Sequence, residues 1–455
     1  MNNRVTLMLG AMLLATPLAA AEPALPAIAA GVSEAELKAS ITALVGFGTR
    51  HTASDTTSPT RGIGAARRWT EDRFKSFSAA CGNCLTIATP AEVVTSARLP
   101  TPTNVVDVLA IQRGTSDPNR VIIISAHIDS RNSDGLDAKG DAPGANDDGS
   151  GTAAVIEAAR VLSQHKFAAT IVYAVLSGEE QGLNGGKVLA DYARAQGWIV
   201  EADLNNDIIG NSTGIGGMKD SGHVRVFSEG TKAVETPEQA NRRRYNGGEN
   251  DSPSRNVARF LDSLADHNID GLDVKMIYRT DRFGRGGDQT RLLEAGYPAV
   301  RITEAVEHYD RQHQNIRVEN GRRYGDLIDG VDFQYLAKVT RLNVAGLAAL
   351  ARAPMPPAVT IERNAGSNTK VSWTPVKGAA GYKIWWRDTT APQWQYSRSA
   401  DAGATALVLE QASIDDWLFG VSAIAADGSE SPIAYPGDAG NFISNPPFPS
   451  PQPRP

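Results

Sequence analysis

Apolar positions follow two patterns along the first 350 residues. Residues 121–125 and 170–176 are unbroken apolar runs rich in β-branched side chains, whereas apolar residues in 152–164 and 185–196 recur at helical spacing. A run that is apolar at nearly every position predicts a strand covered on both faces, as in a parallel sheet. Further strands are expected at 199–206 and 298–303. Strands alternating with helices over roughly 30–352 predict an α/β fold, with a mostly parallel central sheet and helices on both faces.

The pattern changes near residue 353. Pro354, Pro356 and Pro357 read as a linker, and five of the seven Trp follow it. Segments there are short and alternating. Trp417, Phe419, Val421 and Ala423 fall on one side of a strand, and Leu418, Gly420, Ser422 and Ile424 on the other. A separate small all-β sandwich is expected over 358–436. Thr369-Lys-Val-Ser-Trp373, Gly381-Tyr-Lys-Ile-Trp385 and Phe419-Gly-Val-Ser-Ala423, ahead of Asp427-Gly-Ser-Glu-Ser, make this segment resemble a fibronectin type III domain. Trp417 stands where that family usually has a corner tyrosine. Such a module is expected to be a spacer or to bind a surface or carbohydrate. A Pro-rich tail completes the chain over 437–455.

The other end reads as a signal peptide over 1–21. Arg4 precedes a largely apolar stretch, 5–18, and Ala19-Ala20-Ala21 offers a cleavage site. That stretch is short for a membrane span, and no later one approaches ~18 apolar residues. The mature protein, starting at 22, is therefore expected in the periplasm or outside the cell, with no stable membrane insertion. Export makes the two cysteines, Cys81 and Cys84, a local disulfide, since two thiols alone make a poor zinc site. With 45 Lys+Arg against 51 Asp+Glu, the net charge of −6 argues against nucleic acid as a partner. A chain that is 41% hydrophobic is also not disordered throughout.

Charged residues gather just past the predicted strands. His127-Ile-Asp129 follows the first, and Gly144-Ala-Asn-Asp147-Asp-Gly-Ser-Gly151 opens the next helix. Ser177-Gly-Glu179-Glu180 follows the second strand, Asp207 the third, and His313 lies beyond the last. Ligand sites in open α/β sheets form at the carboxyl ends of strands, so five loops bring these groups to one rim. Two imidazoles and three carboxylates suit two Zn²⁺ ions. Asp147 is the expected bridge, with His127 and Asp207 completing the first ion's set and Glu180 and His313 the second. Two divalent cations, three carboxylates and a bridging hydroxide sum to zero charge, which makes burial tolerable. Asp129 is expected to accept from the far ring nitrogen of His127 and fix its tautomer. Consecutive glutamates cannot both face one ion, so the free one is positioned as a general base for amide hydrolysis.

Residues 40–352 resemble the secreted co-catalytic zinc aminopeptidases, the group of leucyl aminopeptidase, aminopeptidase S and aminopeptidase Y. The matching pieces are Ser125-Ala-His127-Ile-Asp129-Ser130, the 144–151 segment, Gly178-Glu179-Glu180-Gln-Gly-Leu183, Asp207 and His313. The resemblance implies the same five ligands and makes Glu179 the base. It also favours His313 over nearby His308, and it places Asp288 at a position that often lines the site. Tyr309 is a candidate oxyanion or substrate contact. The expected activity is removal of N-terminal residues from peptides or proteins, and a zinc peptidase domain over 22–353 should keep it on small substrates without the sandwich.

Other readings carry less. Carboxypeptidases, dipeptidases and deacylases share a similar ligand set, but no lid-sized βαβ insertion is evident between Asp207 and His313. Glutaminyl cyclases keep a single zinc, and a metal-free binding homologue would have lost ligands that are present here. The 130–141 segment partly imitates a calcium loop, yet it starts at Ser130 and ends at Asp141 rather than at Asp and Glu. His51, His165, His223 and His267 are expected to serve surface or local packing.

Overall fold

The computed structural model describes residues 23–362 and 365–443. The expected signal peptide and most of the Pro-rich tail lie outside the described residues. Helices α1 (Leu25–Ala29), α2 (Glu34–Gly46) and α3 (Gly62–Ala80) come first. Strand β1 (Leu85–Ala88) enters the main sheet, β2 (Ala91–Ser96) and β3 (Leu99–Val106) pair as a separate ribbon, and β4 (Val108–Gln112) returns to the sheet. The alternating part is β5 (Asp117–His127), α4 (Gly149–Leu162), β6 (Ala169–Leu176), α5 (Asn184–Ala195) and β7 (Ile199–Asn206). Then come β8 (His223–Phe227), α6 (Pro237–Asn246), α7 (Pro253–Asn268), β9 (Asp273–Ile277), α8 (Gln289–Glu294) and β10 (Ala299–Glu304). A hairpin of β11 (Arg317–Glu319) and β12 (Arg322–Tyr324) precedes the long α9 (Phe333–Arg352).

The eight-stranded sheet has the order β1-β4-β6-β5-β7-β10-β8-β9. Its centre, β6, β5, β7 and β10, is parallel. The pleat sends alternate residues to opposite faces. Ile122, Ile124 and Ala126 join the core formed with α4 and α9, while Val121 and Ile123 join Leu189 of α5 and Leu292 of α8. Both faces are thus covered, which is why β5 and β6 read as continuous apolar runs. Helix α4 starts three residues before the expected 152, because Asp148 caps it: its Oδ1 accepts from the Gly151 N–H at 2.9 Å. One reading needs correction. A βαβ unit, β8–α7–β9, does lie between Asp207 and His313, but β8 pairs with β10, so the unit widens the main sheet and forms no separate lid.

The C-terminal part holds β13 (Val359–Ile361), β14 (Thr369–Trp373), β15 (Gly381–Asp388), β16 (Tyr396–Asp401), β17 (Ala406–Leu409) and β18 (Trp417–Ile424). They pair as two antiparallel sheets, β13-β14-β17 and β16-β15-β18. Val371, Trp373, Ile384, Phe419 and Val421 lie in the core, with the Trp373 and Tyr382 rings 5.3 Å apart. Trp417 meets the ring of Tyr396 edge-on at 5.7 Å. Strand β18 is covered on its second face as well, where the Ser422 hydroxyl donates to Glu430.

This sandwich is bound firmly to the α/β part. Asp251, just before α7, lies 3.0 Å from Arg259 of α7 and 2.8 Å from Arg387 of β15, and all three are buried. Arg259 Nε also donates to the Pro392 carbonyl at 2.7 Å, and Gln393 donates to Asp262. The joint near 353 therefore connects two bodies that share a buried polar seam, where the sequence pattern suggested a free-standing unit. Among the described residues, no helix is long and apolar enough to cross a membrane.

Candidate metal centre

The parallel strands end on one edge of the sheet, and the chain leaves each with polar residues. His127 closes β5, Glu179 and Glu180 follow β6, and Asp207 follows β7. Asp147 comes from the loop ahead of α4, and His313 from the segment after β10. These five side chains meet. His127, Asp147 and Asp207 form one group whose ligand atoms all lie within 4.8 Å of one another, and Asp147, Glu180 and His313 form a second. Asp147 belongs to both. Its Oδ1 is 3.4 Å from His127 Nε2, and its Oδ2 is 3.0 Å from His313 Nε2. His313 Nε2 is also 2.8 Å from Glu180 Oε1, and His127 Nε2 is 3.9 Å from Asp207 Oδ1. His313 lies in the second group, and His308 lies in neither.

A donor set of imidazole nitrogens and carboxylates at this spacing fits zinc. Comparison with known proteins agrees. The profile of peptidase family M28 matches residues 104–328, which take in all five donors. A probable zinc metalloprotease of Pyrenophora teres is 44% identical over 412 residues, covering 89% of this chain and 85% of that protein. Another, of Leptosphaeria maculans, is 42% identical and covers 92% and 97%. The chain belongs to peptidase family M28. Like the relatives it matches, it is a zinc metallopeptidase, and those matches run past α9 into the sandwich. Among solved structures, the LapA aminopeptidase of Legionella pneumophila gives a TM-score of 0.52 at 20% identity over 72% of this chain and 74% of that one. LapB of the same organism gives 0.52 at 17% over the same shares. At that identity the likeness establishes the fold.

The M28 centre is held by neighbours that the sequence pattern only partly revealed. Asp129 does not bond His127 through its carboxylate, as expected; that distance is 3.6 Å, too long for a hydrogen bond. Instead His127 Nδ1 faces the backbone oxygen of Asp129 at 3.0 Å, which still fixes the tautomer and leaves Nε2 for the cluster. The Asp129 carboxylate accepts from the N–H groups of Gly178, Glu179 and Glu180 at 2.9, 3.2 and 3.1 Å. Period-two alternation put it on the right side of the chain but could not show that the 178–180 turn would outcompete the imidazole.

Asp148 accepts from the His127 and Ile208 N–H groups and so joins the ends of β5 and β7. Arg301 of β10 is fully buried and lies 2.7 Å from Asp207 Oδ2. No sequence signal short of an alignment marks Arg301, because it reads as one polar interruption in an apolar strand. Asp288 is buried, accepts from the Gly186 N–H at 3.0 Å, and has its carboxyl pushed up to about 7 by burial, with Asp129 and Asp207 adding to the rise. Tyr309 is 55% exposed, and no contact ties it to the five donors. Cys81 and Cys84 are bonded to each other, remote from the centre in the turn after α3. In the calcium-like loop, Asp141 pairs with Arg61 and Asp137 accepts from Lys139 and Gly140, so both are spent on the chain itself. His51 is a packing residue, bonded to Ala53 and Gly135.

Burial opposes protonation of His313, yet the Glu180 and Asp147 carboxylates outweigh it and push its pKa up to about 11. Burial likewise opposes ionisation of Asp147, and the His313 and His127 imidazoles outweigh it and hold the carboxyl low. Burial pushes the Glu179 carboxyl upward. A cation that takes His313 as ligand must displace its proton. Zinc uptake at neutral pH is therefore expected to release protons, and apparent affinity should rise as pH increases toward 11. Calorimetric titration in two buffers of different ionisation enthalpy measures the number released. The sign for the metal-free protein is opposite: the ion pairs of His313 stabilise it fully below about pH 6.5 and fade as pH rises from there toward about 11.

Proposed function

We propose that the chain is an exported aminopeptidase that holds two zinc ions, with Asp147 as the shared ligand and Glu179 as the general base. The observation that carries this reading is the pair of donor groups overlapping at Asp147, with Glu179 next to one of its ligands. His127 and Asp207 complete one ion's set, and Glu180 and His313 the other. Zinc supplies a Lewis acid that polarises the scissile carbonyl and acidifies water. The chain's own part is proton handling and alignment. Glu179 takes a proton from the attacking water on its carboxylate and returns it to the departing amine nitrogen. Asp129 holds the 178–180 turn, so that the base and the ligand beside it keep fixed directions. Asp288, buried and within electrostatic reach of Asp129 and Asp207, is read as a residue that lines the site.

The aminopeptidase assignment draws on the family and on the fold shared with LapA, which is described as an aminopeptidase. A single-ion cyclase would need only one of the two donor groups. Export draws on the 1–21 segment and on the bonded Cys81 and Cys84. The 358–436 sandwich is read as fibronectin type III-like, with a surface or carbohydrate as its partner. Peptide or protein N-termini are the substrates, and neither nucleic acid nor a membrane is a partner. The test is a peptide panel with free and acetylated N-termini. Cleavage of the first bond in free peptides only is expected; equal cleavage of acetylated peptides would overturn the exopeptidase reading.

A further inference from the structure

Asp147 must meet both donor groups at once, yet it stands on a loop, 143–148, that belongs to no strand or helix. Two residues from distant parts of the chain grip that loop from opposite sides. Arg50 is fully buried and, among the described residues, lies within no ion pair; it spends its donors on carbonyl oxygens. Its Nη1 donates to Pro143 O at 2.5 Å and Leu44 O at 3.1 Å, its Nη2 to Gly144 O at 2.9 Å, and its Nε to Ile128 O at 2.6 Å. One guanidinium thereby ties the residue after His127 to the start of the Asp147 loop. Gly144 has φ 51°, and a Cβ there would meet Asp147 O at 2.5 Å and Arg50 Nη2 at 2.9 Å. Only glycine allows the guanidinium to come so close.

From the other side, Asp326 accepts from the Asn146 N–H at 3.0 Å and from the Asp147 N–H at 2.7 Å. Its backbone oxygen accepts from Ala145 at 3.3 Å. The loop's carbonyls are thus held by a cation and its N–H groups by an anion. A buried guanidinium without a direct counter-ion is costly, and so is a buried carboxylate. Four satisfied carbonyls and two satisfied amides offset that cost only while the loop keeps this one shape.

We propose that Arg50 and Asp326 are positioning residues, a two-sided backbone clamp that fixes Asp147 so that a single carboxylate can serve two ions. The proposal rests on the reading of Asp147 as the shared ligand. Without the clamp Asp147 satisfies one donor group at the expense of the other. One zinc then binds nearly as before and the second weakens about 10- to 100-fold, the usual effect of losing a residue that orients a ligand. Turnover falls through kcat more than through KM.

The test uses the full-length protein with Arg50→Lys, which keeps the charge but not the planar fork, and Asp326→Asn, which keeps the size but not both acceptors. Zinc retained against a graded chelator, and amide hydrogen exchange across 143–149, are read alongside a melting curve. Selective loss of one zinc and faster exchange in a folded variant are expected. Unchanged zinc retention and exchange in a folded variant would overturn the clamp. Should both variants fail to fold, the native metal-free protein decides: the Asn146 and Asp147 amides must be strongly protected, and rapid exchange there overturns the proposal. If the native chain binds no zinc, the two-ion reading fails on its own, while amide protection still tests the clamp.

Discussion

Glu179→Gln is expected to lower kcat by about 10²- to 10⁴-fold, the usual worth of a positioned general base, while zinc content stays unchanged. Glutamine has nearly the same shape, so the fold should not notice the change. The backbone N–H of residue 179 keeps its bond to Asp129, because that bond does not involve the side chain. Glu179 belongs to neither donor group, so the proposed zinc site would lose no ligand. What disappears is the capacity to accept a proton. Steady-state kinetics on an aminoacyl anilide, together with zinc analysis of the same sample, separates the outcomes. Unchanged turnover would remove Glu179 from the base role, and loss of zinc along with activity would make it a ligand.

Asp251→Ala should be the most damaging substitution far from the centre. It leaves Arg259 and Arg387 buried, side by side, without their shared carboxylate. Breaking a buried pair by removing one partner costs about 3–5 kcal/mol, and the two guanidinium groups would then repel each other. Thermal or urea unfolding of the zinc-loaded protein reads the loss. The same seam predicts that a chain ending at Ala353 will aggregate or melt far lower, since it strips Arg387, Pro392 and Gln393 from α7. That differs from the expectation of a dispensable module. A soluble monomer ending at Ala353 with native melting would restore the spacer reading. The relatives' matches into the sandwich are consistent with one cooperative body.

Much of the fold was legible because a buried parallel strand needs apolar residues on both faces. Runs such as 121–125 and 170–176, too short to span a membrane and followed by helical periodicity, could hardly be anything else. The five donors were legible for a related reason. The carboxyl ends of parallel strands share an edge, so polar residues just past each strand must be neighbours once the sheet forms. The sandwich showed itself through short alternating strands and clustered Trp, but its attachment did not. Asp251, Arg259 and Arg387 are each an unremarkable charge until α7 and β15 are brought together.

The sequence by itself determined the elements, the sheet's chemistry-bearing edge and the donor residues that gather there, since these depend on residue type and local period. Only the tertiary structure decided what holds those donors in place. Arg50 meets the 143–144 carbonyls, Asp326 meets the Asn146 and Asp147 amides, and Arg301 meets Asp207, each across some 90 to 180 residues of chain. Asp129 turned to the 178–180 backbone in place of its neighbouring imidazole. Backbone N–H and C=O groups are the partners in most of these contacts. Every residue carries them, so no pattern of side chains announces which will be chosen; the choice is made when packing strips away water and each buried polar group must find a partner.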